Sequence, residues 1–100
     1  MIEPELCCTM AEVRASIDEL DDEIVGLLAK RFRFMDAAAR IKESRDQVRD
    51  EVRKAEVIER VRQRAREAGV TVDPIAHLYD QLVEASISYE FDKFDTRLRA

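Results

Sequence analysis

Apolar side chains recur at alternating steps of three and four residues in the first part of the chain, and they predict one long helix from Met10 to about Ser44. A stripe with this spacing lies along one side of a helix and packs against another helix. The stripe consists of Val13, Ile17, Leu20, Ile24, Leu27, Phe34, Ala38 and Ile41. Residues 1–9 precede the helix as an arm, and Thr9 is its predicted N-cap, with Glu12 completing a capping box.

Two shorter apolar patterns predict a second and a third helix. The second spans about 51–68, between the N-cap Asp50 and Gly69, which ends the helix in the left-handed conformation. The third spans about 74–96 and follows the N-cap Asp73, with a proline in its first position. The chain has 2 Gly and 2 Pro in 100 residues, so the sequence predicts a single all-α domain of three helices.

The first predicted helix is long enough to extend beyond a core formed with the other two. Residues 45–50 interrupt the apolar pattern, so we expect a short polar connection after it. With 6 aromatic residues and no Trp, the core of one chain is small. A second copy of the chain would bury the protruding part of the first helix, and we therefore predict a homodimer.

Three cations fall on or beside the apolar stripe of the first helix. Arg31 occupies a position where an apolar residue is due, Lys42 follows eleven residues later, and Arg14 lies near the start. A cation on an apolar stripe costs free energy unless it reaches water or meets an anion. Arg31 therefore either extends to solvent or pairs with an acidic neighbour, or the stripe binds an anionic ligand.

The spacing of these cations limits how they can share one ligand. Arg31 and Lys42 are roughly 16 Å apart along a helix, so their side chains can converge on a small molecule. Arg14 is roughly 25 Å from Arg31 and roughly 42 Å from Lys42. It can reach the same ligand only from a second copy of the chain, in an antiparallel pair of first helices.

The other two helices also carry polar side chains on their apolar faces. On the second helix, Arg53 lies one turn before an apolar residue and points at least partly inward, although a solvated position fits the pattern equally well. On the third, Ser86 and Glu90 lie one turn apart in the apolar stripe. A buried serine can donate to its own helix, whereas a buried carboxyl needs a cation or must be protonated.

Composition and charge argue against several classes of partner. The net charge is −5 and no block of Lys or Arg stands out, which argues against nucleic acid and against an anionic membrane. The 17 basic residues can still bind small anions locally. Cys7 and Cys8 are adjacent and His77 is the only histidine, so we expect no disulfide and no metal site. No apolar run fits a signal peptide or a membrane span, and we expect a reduced, cytoplasmic protein.

Taken together, these residues resemble the all-helical chorismate mutase family from about Ala11 to Phe91. The matching segments are Val-Arg14-Ala-Ser-Ile-Asp-Glu-Leu-Asp, Leu-Leu-Ala-Lys-Arg31, Ala-Arg-Ile-Lys42, Val-Arg-Asp50 with Arg53, and Ser86 with Glu90. The residues Pro4, Glu5 and Cys7 resemble the isochorismate pyruvate lyase branch, which serves salicylate and siderophore synthesis.

The resemblance implies an intertwined antiparallel homodimer with two identical sites for a small dianion, chorismate or isochorismate. Each site takes Arg14 from the partner chain, and Arg14, Arg31 and Arg53 together bind the two carboxylates. Lys42 bonds the ether oxygen, where negative charge grows as the C–O bond breaks. The rearrangement is one pericyclic step, so the resemblance implies no cofactor, metal or nucleophile.

The resemblance gives three more residues a role and leaves one residue in conflict with the family pattern. Asp50 contacts the ring hydroxyl, Ser86 assists a carboxylate, and Glu90 stands where many relatives have Gln. Glu90 can donate to the ether oxygen only when it is protonated. Lys54 stands where mutases commonly have a Glu that contacts the ring hydroxyl, and the lyase branch lacks that Glu as well.

Three hypotheses about function are compatible with these residues. The first is a chorismate mutase, which rearranges chorismate to prephenate. The second is an isochorismate pyruvate lyase, which converts isochorismate to salicylate and pyruvate. Both substrates are similar dianions and both reactions are pericyclic, so the sequence discriminates poorly between them. The third, which Lys54 favours, is a non-catalytic helical module for dimerisation or ligand sensing.

Overall fold

The computed structural model describes residues 1–99 of the chain, with side chains up to residue 97. The elements in chain order are a 3-10 turn Pro4–Leu6, helix α1 Met10–Ile41, a second 3-10 turn Arg45–Gln47, helix α2 Glu51–Ala68 and helix α3 Val72–Arg99. The prediction of an all-α chain with three helices, the first of them the longest, is confirmed. The chain divides into two compact units, Met1–Phe34 and Met35–Ala100.

The first unit consists of the N-terminal arm and most of α1. The hydroxyl of Thr9 accepts a hydrogen bond from the N–H of Glu12 at 3.1 Å, which confirms Thr9 as the N-cap. The carboxylate of Glu12 accepts from the N–H of Cys8 at 3.2 Å and from the hydroxyl of Thr9 at 3.1 Å. The predicted capping box is therefore wrong in its second half, because Glu12 reaches the residue before the N-cap. The N–H of Ile2 donates to Ser16 Oγ at 3.2 Å, so the arm lies along the helix.

The apolar stripe of α1 is largely uncovered in the single chain. Within the first unit, the exposed fraction lies between 45% and 68% for Ile17, Leu20, Ile24, Leu27 and Phe34. Apolar side chains at helical spacing form a continuous strip, and an uncovered strip of this kind marks an interaction surface. The face that the sequence predicts for helix packing is therefore present, and one chain leaves it open.

The second unit packs α2, α3 and the end of α1 around one apolar core. The core consists of Ala39, Val48, Val83, Ile87 and Phe94, with Val57, Ile58, Tyr79 and Phe91 packed against it. Val48 lies in the connection between α1 and α2 and is 3% exposed. The connection is short and mostly polar, as predicted, but Val48 is buried within it. Burial of the Val48 side chain anchors the connection to the core.

The connection is also held by Arg45 and by the end of α1. The guanidinium of Arg45 donates to Asp95 at 2.9 Å and lies 4.4 Å above the ring of Phe91.

Helix α1 ends at Ile41, three residues before the predicted end near Ser44. The reason is local, because the side-chain oxygen of Gln47 accepts from the N–H groups of residues 43 and 44 at 2.8 and 3.3 Å. These N–H groups are thereby directed away from the helix.

The ends of α2 follow the prediction. The carboxylate of Asp50 accepts from the N–H of Arg53 at 3.0 Å, which confirms Asp50 as the N-cap. Gly69 has φ 72°, the left-handed conformation that ends a helix, and this too is confirmed. Both ends were predictable because each is fixed by a side chain or a backbone conformation within three residues.

The start of α3 differs from the prediction. The helix begins at Val72, so Asp73 lies in its first turn and is not the N-cap. The carboxylate of Asp73 accepts from the guanidinium of Arg62 at 2.9 Å instead. Pro74 is accommodated at the third position because N–H groups of the first turn have no acceptor within the helix. None of the helices in residues 1–99 is long and apolar enough to cross a membrane.

Candidate functional site

Two of the predicted site residues meet in the second unit. The ammonium of Lys42 lies 2.7 Å from Oε2 of Glu90, and the Glu90 side chain is only 5% exposed. The sequence left two possibilities for the Glu90 carboxyl, a nearby cation or protonation, and the structure places the cation Lys42 beside it. A buried carboxylate beside an ammonium avoids the free-energy penalty of an isolated buried charge.

Ser86 lies one turn before Glu90 on the same face of α3, as predicted. Its residue exposure is 3% and its hydroxyl donates to the carbonyl of Leu82 at 2.7 Å. The expectation that a buried serine bonds to its own helix is confirmed. Ser86 and Glu90 therefore place two oxygen-bearing side chains side by side in an otherwise apolar face.

The hydrogen bonding of Glu90 is incomplete. The contact with Lys42 at 2.7 Å is an ion pair by distance, but its direction does not make it a hydrogen bond to Oε2. Among the residues that the structure describes, that buried oxygen has no hydrogen-bond partner. Lys42 in turn donates to the carbonyl of Val48 at 3.4 Å. A buried oxygen without a donor is a candidate contact for a ligand.

An open concavity of about 740 Å³ lies beside Lys42. Its lining includes Ile41, Lys42, Arg49, Asp50 and Val52. Lys42 and Asp50 thus border the same space, although they are on opposite sides of the connection. Glu43, Asp46 and Glu51 line it as well, so in the single chain four carboxylates and two cations border the concavity.

Arg53 takes the solvated one of the two positions that the sequence left open. Its side chain is 66% exposed and its guanidinium lies 3.5 Å from the carboxylate of Glu56, one turn later on α2. The partly inward position is not found in the single chain. The physical reason is that Arg53 follows the N-cap closely, where a long side chain reaches solvent at little cost.

Lys54, the residue in conflict with the family pattern, is held by α3. Its ammonium lies 3.0 Å from Asp80 and 2.8 Å from Glu84. Arg49 also donates to both oxygens of Glu84, at 3.1 and 2.8 Å. The hydrogen bonds with Glu84 raise the pKa of both cations. These contacts direct Lys54 toward carboxylates of its own chain.

The acidic partners of Lys54 were not identified from the sequence. Asp80 and Glu84 are spaced by one helical turn on α3, beside the apolar positions Tyr79 and Val83. An acidic pair at this spacing, flanking a buried face, was a usable signal for a cation on the neighbouring helix. It escaped notice because acidic pairs on helices are usually solvated.

The pKa of Glu84 gives a prediction about acid stability. Hydrogen bonds from Arg49, then from Lys54, lower the pKa of Glu84 to about 2 from an ordinary value of 4.5. A pKa that is lower in the folded state stabilises the fold above the unfolded value and loses this effect as the pH falls from about 4.5 toward 2. Glu84→Gln should therefore be less stable than the parent at pH 7, with a difference that shrinks over this window.

The test is the urea midpoint of unfolding, measured from pH 7 to pH 2.5 at one protein concentration. Asp92→Asn, at an exposed position of the same helix, is the matched control for removing one negative charge. A constant difference between Glu84→Gln and the parent across this range would contradict the assigned role of Glu84.

Arg14 and Arg31 both lie on α1 within the first unit. Arg14 is exposed and Arg31 is half-buried. Seventeen residues of one continuous helix separate them, which is roughly 25 Å. One chain therefore cannot bring both guanidinium groups to the same small molecule.

Arg97 is a residue of this region that sequence reasoning missed. Its guanidinium donates to the carbonyls of Ala39, Arg40 and Lys42, at 2.8, 2.9 and 2.8 Å. It is seven residues after Glu90 on α3, so both lie on one face. That spacing was the available signal, but a lone Arg near a helix end is usually solvated.

The family model for chorismate mutase type II matches residues 13–91. The chain belongs to the chorismate mutase type II family. No curated protein matches it. The matched segment contains all seven residues assigned to the site, from Arg14 to Glu90. The resemblance inferred from the sequence is thus confirmed, and a chorismate mutase type of activity is supported at the level of the family.

Proposed function

We propose that the protein is a chorismate mutase that converts chorismate to prephenate in a site built by two copies of the chain. The observation that carries the proposal is the half-buried ammonium of Lys42, which pairs with the buried Glu90 and borders an open concavity. A site of this kind offers a fixed ammonium to an anionic guest. The family match supplies the substrate class.

The uncovered stripe of α1 supports the proposal of a second copy. The apolar stripe from Ile17 to Phe34 needs a cover, and a second α1 offers an identical apolar stripe. In an antiparallel pair, Arg14 of one chain approaches the Arg31 and Lys42 end of the other. This arrangement covers the stripe and completes two identical sites.

The chemistry asks for orientation and charge stabilisation only. Chorismate must hold its flexible side arm over the ring, and charge grows on the ether oxygen as the C–O bond breaks. Arg14 from the partner chain, Arg31 and Arg53 bind the two carboxylates, because planar guanidinium groups match carboxylates in a forked geometry. Arg53 must leave Glu56 to do so, and an exposed ion pair at 3.5 Å is a weak restraint.

Lys42 supplies a point charge to the ether oxygen. An ammonium has three N–H groups. The described contacts direct the ammonium toward Glu90 at 2.7 Å and the carbonyl of Val48 at 3.4 Å. Of these two contacts only the one with Val48 is a hydrogen bond, so the ammonium keeps N–H groups that can donate to the substrate. In this proposal Asp50 contacts the ring hydroxyl and Ser86 assists a carboxylate.

Glu90 has a role in the proposal as a hydrogen-bond donor. The neutral acid can donate to the ether oxygen, whereas the carboxylate can only accept. Glu90→Gln always keeps a donor and should remain active at pH 8.

The pH–rate profiles of the parent, Glu90→Gln and Glu67→Gln test this role. Glu67 is an exposed carboxylate near the end of α2, and its variant should follow the parent. An inactive Glu90→Gln variant at pH 8 would count against the donor role of Glu90.

Isochorismate pyruvate lyase is the second candidate, and Lys54 is the observation that favours it. Mutases commonly use a Glu at this position for the ring hydroxyl, but Lys54 is occupied by Asp80 and Glu84. Binding of the ring hydroxyl would then depend on Asp50 alone. The site would discriminate less between chorismate and isochorismate, whose hydroxyl groups are at different ring positions.

Purified protein should be given chorismate and isochorismate in parallel. Formation of prephenate supports the mutase, and salicylate with pyruvate supports the lyase. Dimer formation without turnover of either substrate would favour the non-catalytic module and overturn both enzymatic proposals.

A further inference from the structure

The carbonyl groups at the end of α1 are bonded by one distant side chain. The last four carbonyls of a helix lack partners within the helix. NH1 of Arg97 donates to three carbonyls at this end, those of Ala39, Arg40 and Lys42, at 2.8, 2.9 and 2.8 Å. Because α1 has its negative pole here, the guanidinium also complements the helix dipole.

Arg97 is itself fixed on the core. Its guanidinium carbon lies 4.4 Å from the centre of the Phe94 ring, and Phe94 is 1% exposed. The stacked, hydrogen-bonded group therefore has few alternative rotamers. An anchored donor of this kind fixes the position of the carbonyls that it contacts.

Helix α3 therefore contacts both the side-chain ammonium and the main-chain carbonyl of Lys42. Glu90 lies 2.7 Å from the ammonium, and Arg97 donates to the main-chain carbonyl at 2.8 Å. Glu90 and Arg97 are seven residues apart, which places them on one face two turns from each other. Lys42 follows the last residue of α1, and its own N–H donates to the carbonyl of Ala38 at 2.9 Å.

From this arrangement we infer that Arg97 is a positioning residue for the reaction. It acts through Lys42 by fixing the backbone from which the ammonium extends toward the substrate. The inference rests on the proposed function, since it concerns the same site. It adds a residue beyond the segment that the family model matches, residues 13–91.

The test compares steady-state kinetics of Arg97→Ala and Arg97→Lys with the parent. A displaced ammonium lowers charge stabilisation in the transition state more than substrate binding, so Arg97→Ala should lower kcat roughly tenfold with little change in KM. Arg97→Lys keeps a cationic donor and should recover part of the loss. Arg62→Ala removes a partly exposed Arg that pairs with Asp73 and should match the parent.

A second measurement separates positioning from general stability. In a Lys42→Ala/Glu90→Gln background, Arg97→Ala should lower the residual activity by less than about twofold, because Arg97 acts through Lys42. Equal losses in both backgrounds would overturn the inference. So would an unchanged kcat in Arg97→Ala, or equal losses in Arg97→Lys and Arg97→Ala.

The two proposals fail in different ways. An inactive parent protein would contradict the proposed function. An active parent whose kcat does not change when Arg97 is replaced would contradict this inference alone. If Arg97→Ala loses its helical circular dichroism signal, Arg97→Lys is the variant that decides the question. A lowered thermal stability of Arg97→Lys with the kcat of the parent would assign Arg97 to folding only and overturn the positioning role.

Discussion

Replacement of Lys42 by alanine is expected to lower kcat for chorismate by roughly 10²- to 10³-fold. A preorganised donor at the atom where charge develops has an effect of this size. In the proposed site the Lys42 ammonium has this task, because it extends from the end of α1 beside the concavity and contacts Glu90 at 2.7 Å. The loss should fall mainly on kcat, since the charge on the ether oxygen grows in the transition state.

A second variant is needed to separate the effect of Lys42→Ala on the reaction rate from its effect on the stability of the fold. Lys42→Ala leaves Glu90 buried without its cation, which destabilises a fold by about 3–5 kcal/mol. The double variant Lys42→Ala/Glu90→Gln removes the orphaned charge, so it should regain stability and stay slow. Lys93→Ala, at an exposed position of α3, is the matched control and should keep the parent rate. Near-parental activity of the folded double variant would contradict the role of Lys42.

Arg14→Ala and Arg31→Ala should each lower kcat/KM by roughly 100-fold. Loss of a charge-assisted hydrogen bond to a carboxylate has an effect of this order. The expectation is most informative for Arg14, because its side chain is exposed in the single chain. No role within one chain would make an exposed Arg at the far end of α1 essential for turnover.

The control for both variants is Arg33→Ala, which removes an exposed Arg from the same helix. It should leave kcat/KM close to that of the parent. Circular dichroism and the sedimentation coefficient establish that each variant keeps its helices and its association state. Full activity of Arg14→Ala would remove the reason for a shared site.

The helices were predictable because their signals are local. The apolar spacing fixed the number and order of the helices, and Asp50 and Gly69 located both ends of α2. Asp73 misled the prediction because a good capping residue before a proline also fits the first turn. The end of α1 was misplaced because a side chain, Gln47, competes for its N–H groups.

The candidate site was partly predictable by the rule that polar residues on apolar faces need partners. The rule selected Ser86 and Glu90, and the structure pairs Glu90 with Lys42. It could not select Arg97, whose role depends on where the end of α1 meets α3. Nor could it foresee that Arg53 lies against Glu56 in the single chain. Such contacts depend on tertiary packing, which the spacing of residues along a helix does not reveal.

The shared site is tested most directly by mixing Arg14→Ala and Arg31→Ala chains after unfolding and refolding together. Random pairing makes half of the dimers mixed. Each mixed dimer has one intact site and one site that lacks both arginines. One quarter of all sites are then intact, so about one quarter of the parental kcat per site should return. Co-refolded Arg31→Ala and Lys42→Ala chains, whose defects lie in the same half of the site, should recover nothing. Absence of recovery in the first mixture, with mixed dimers demonstrated by mass, would contradict a site built by two chains.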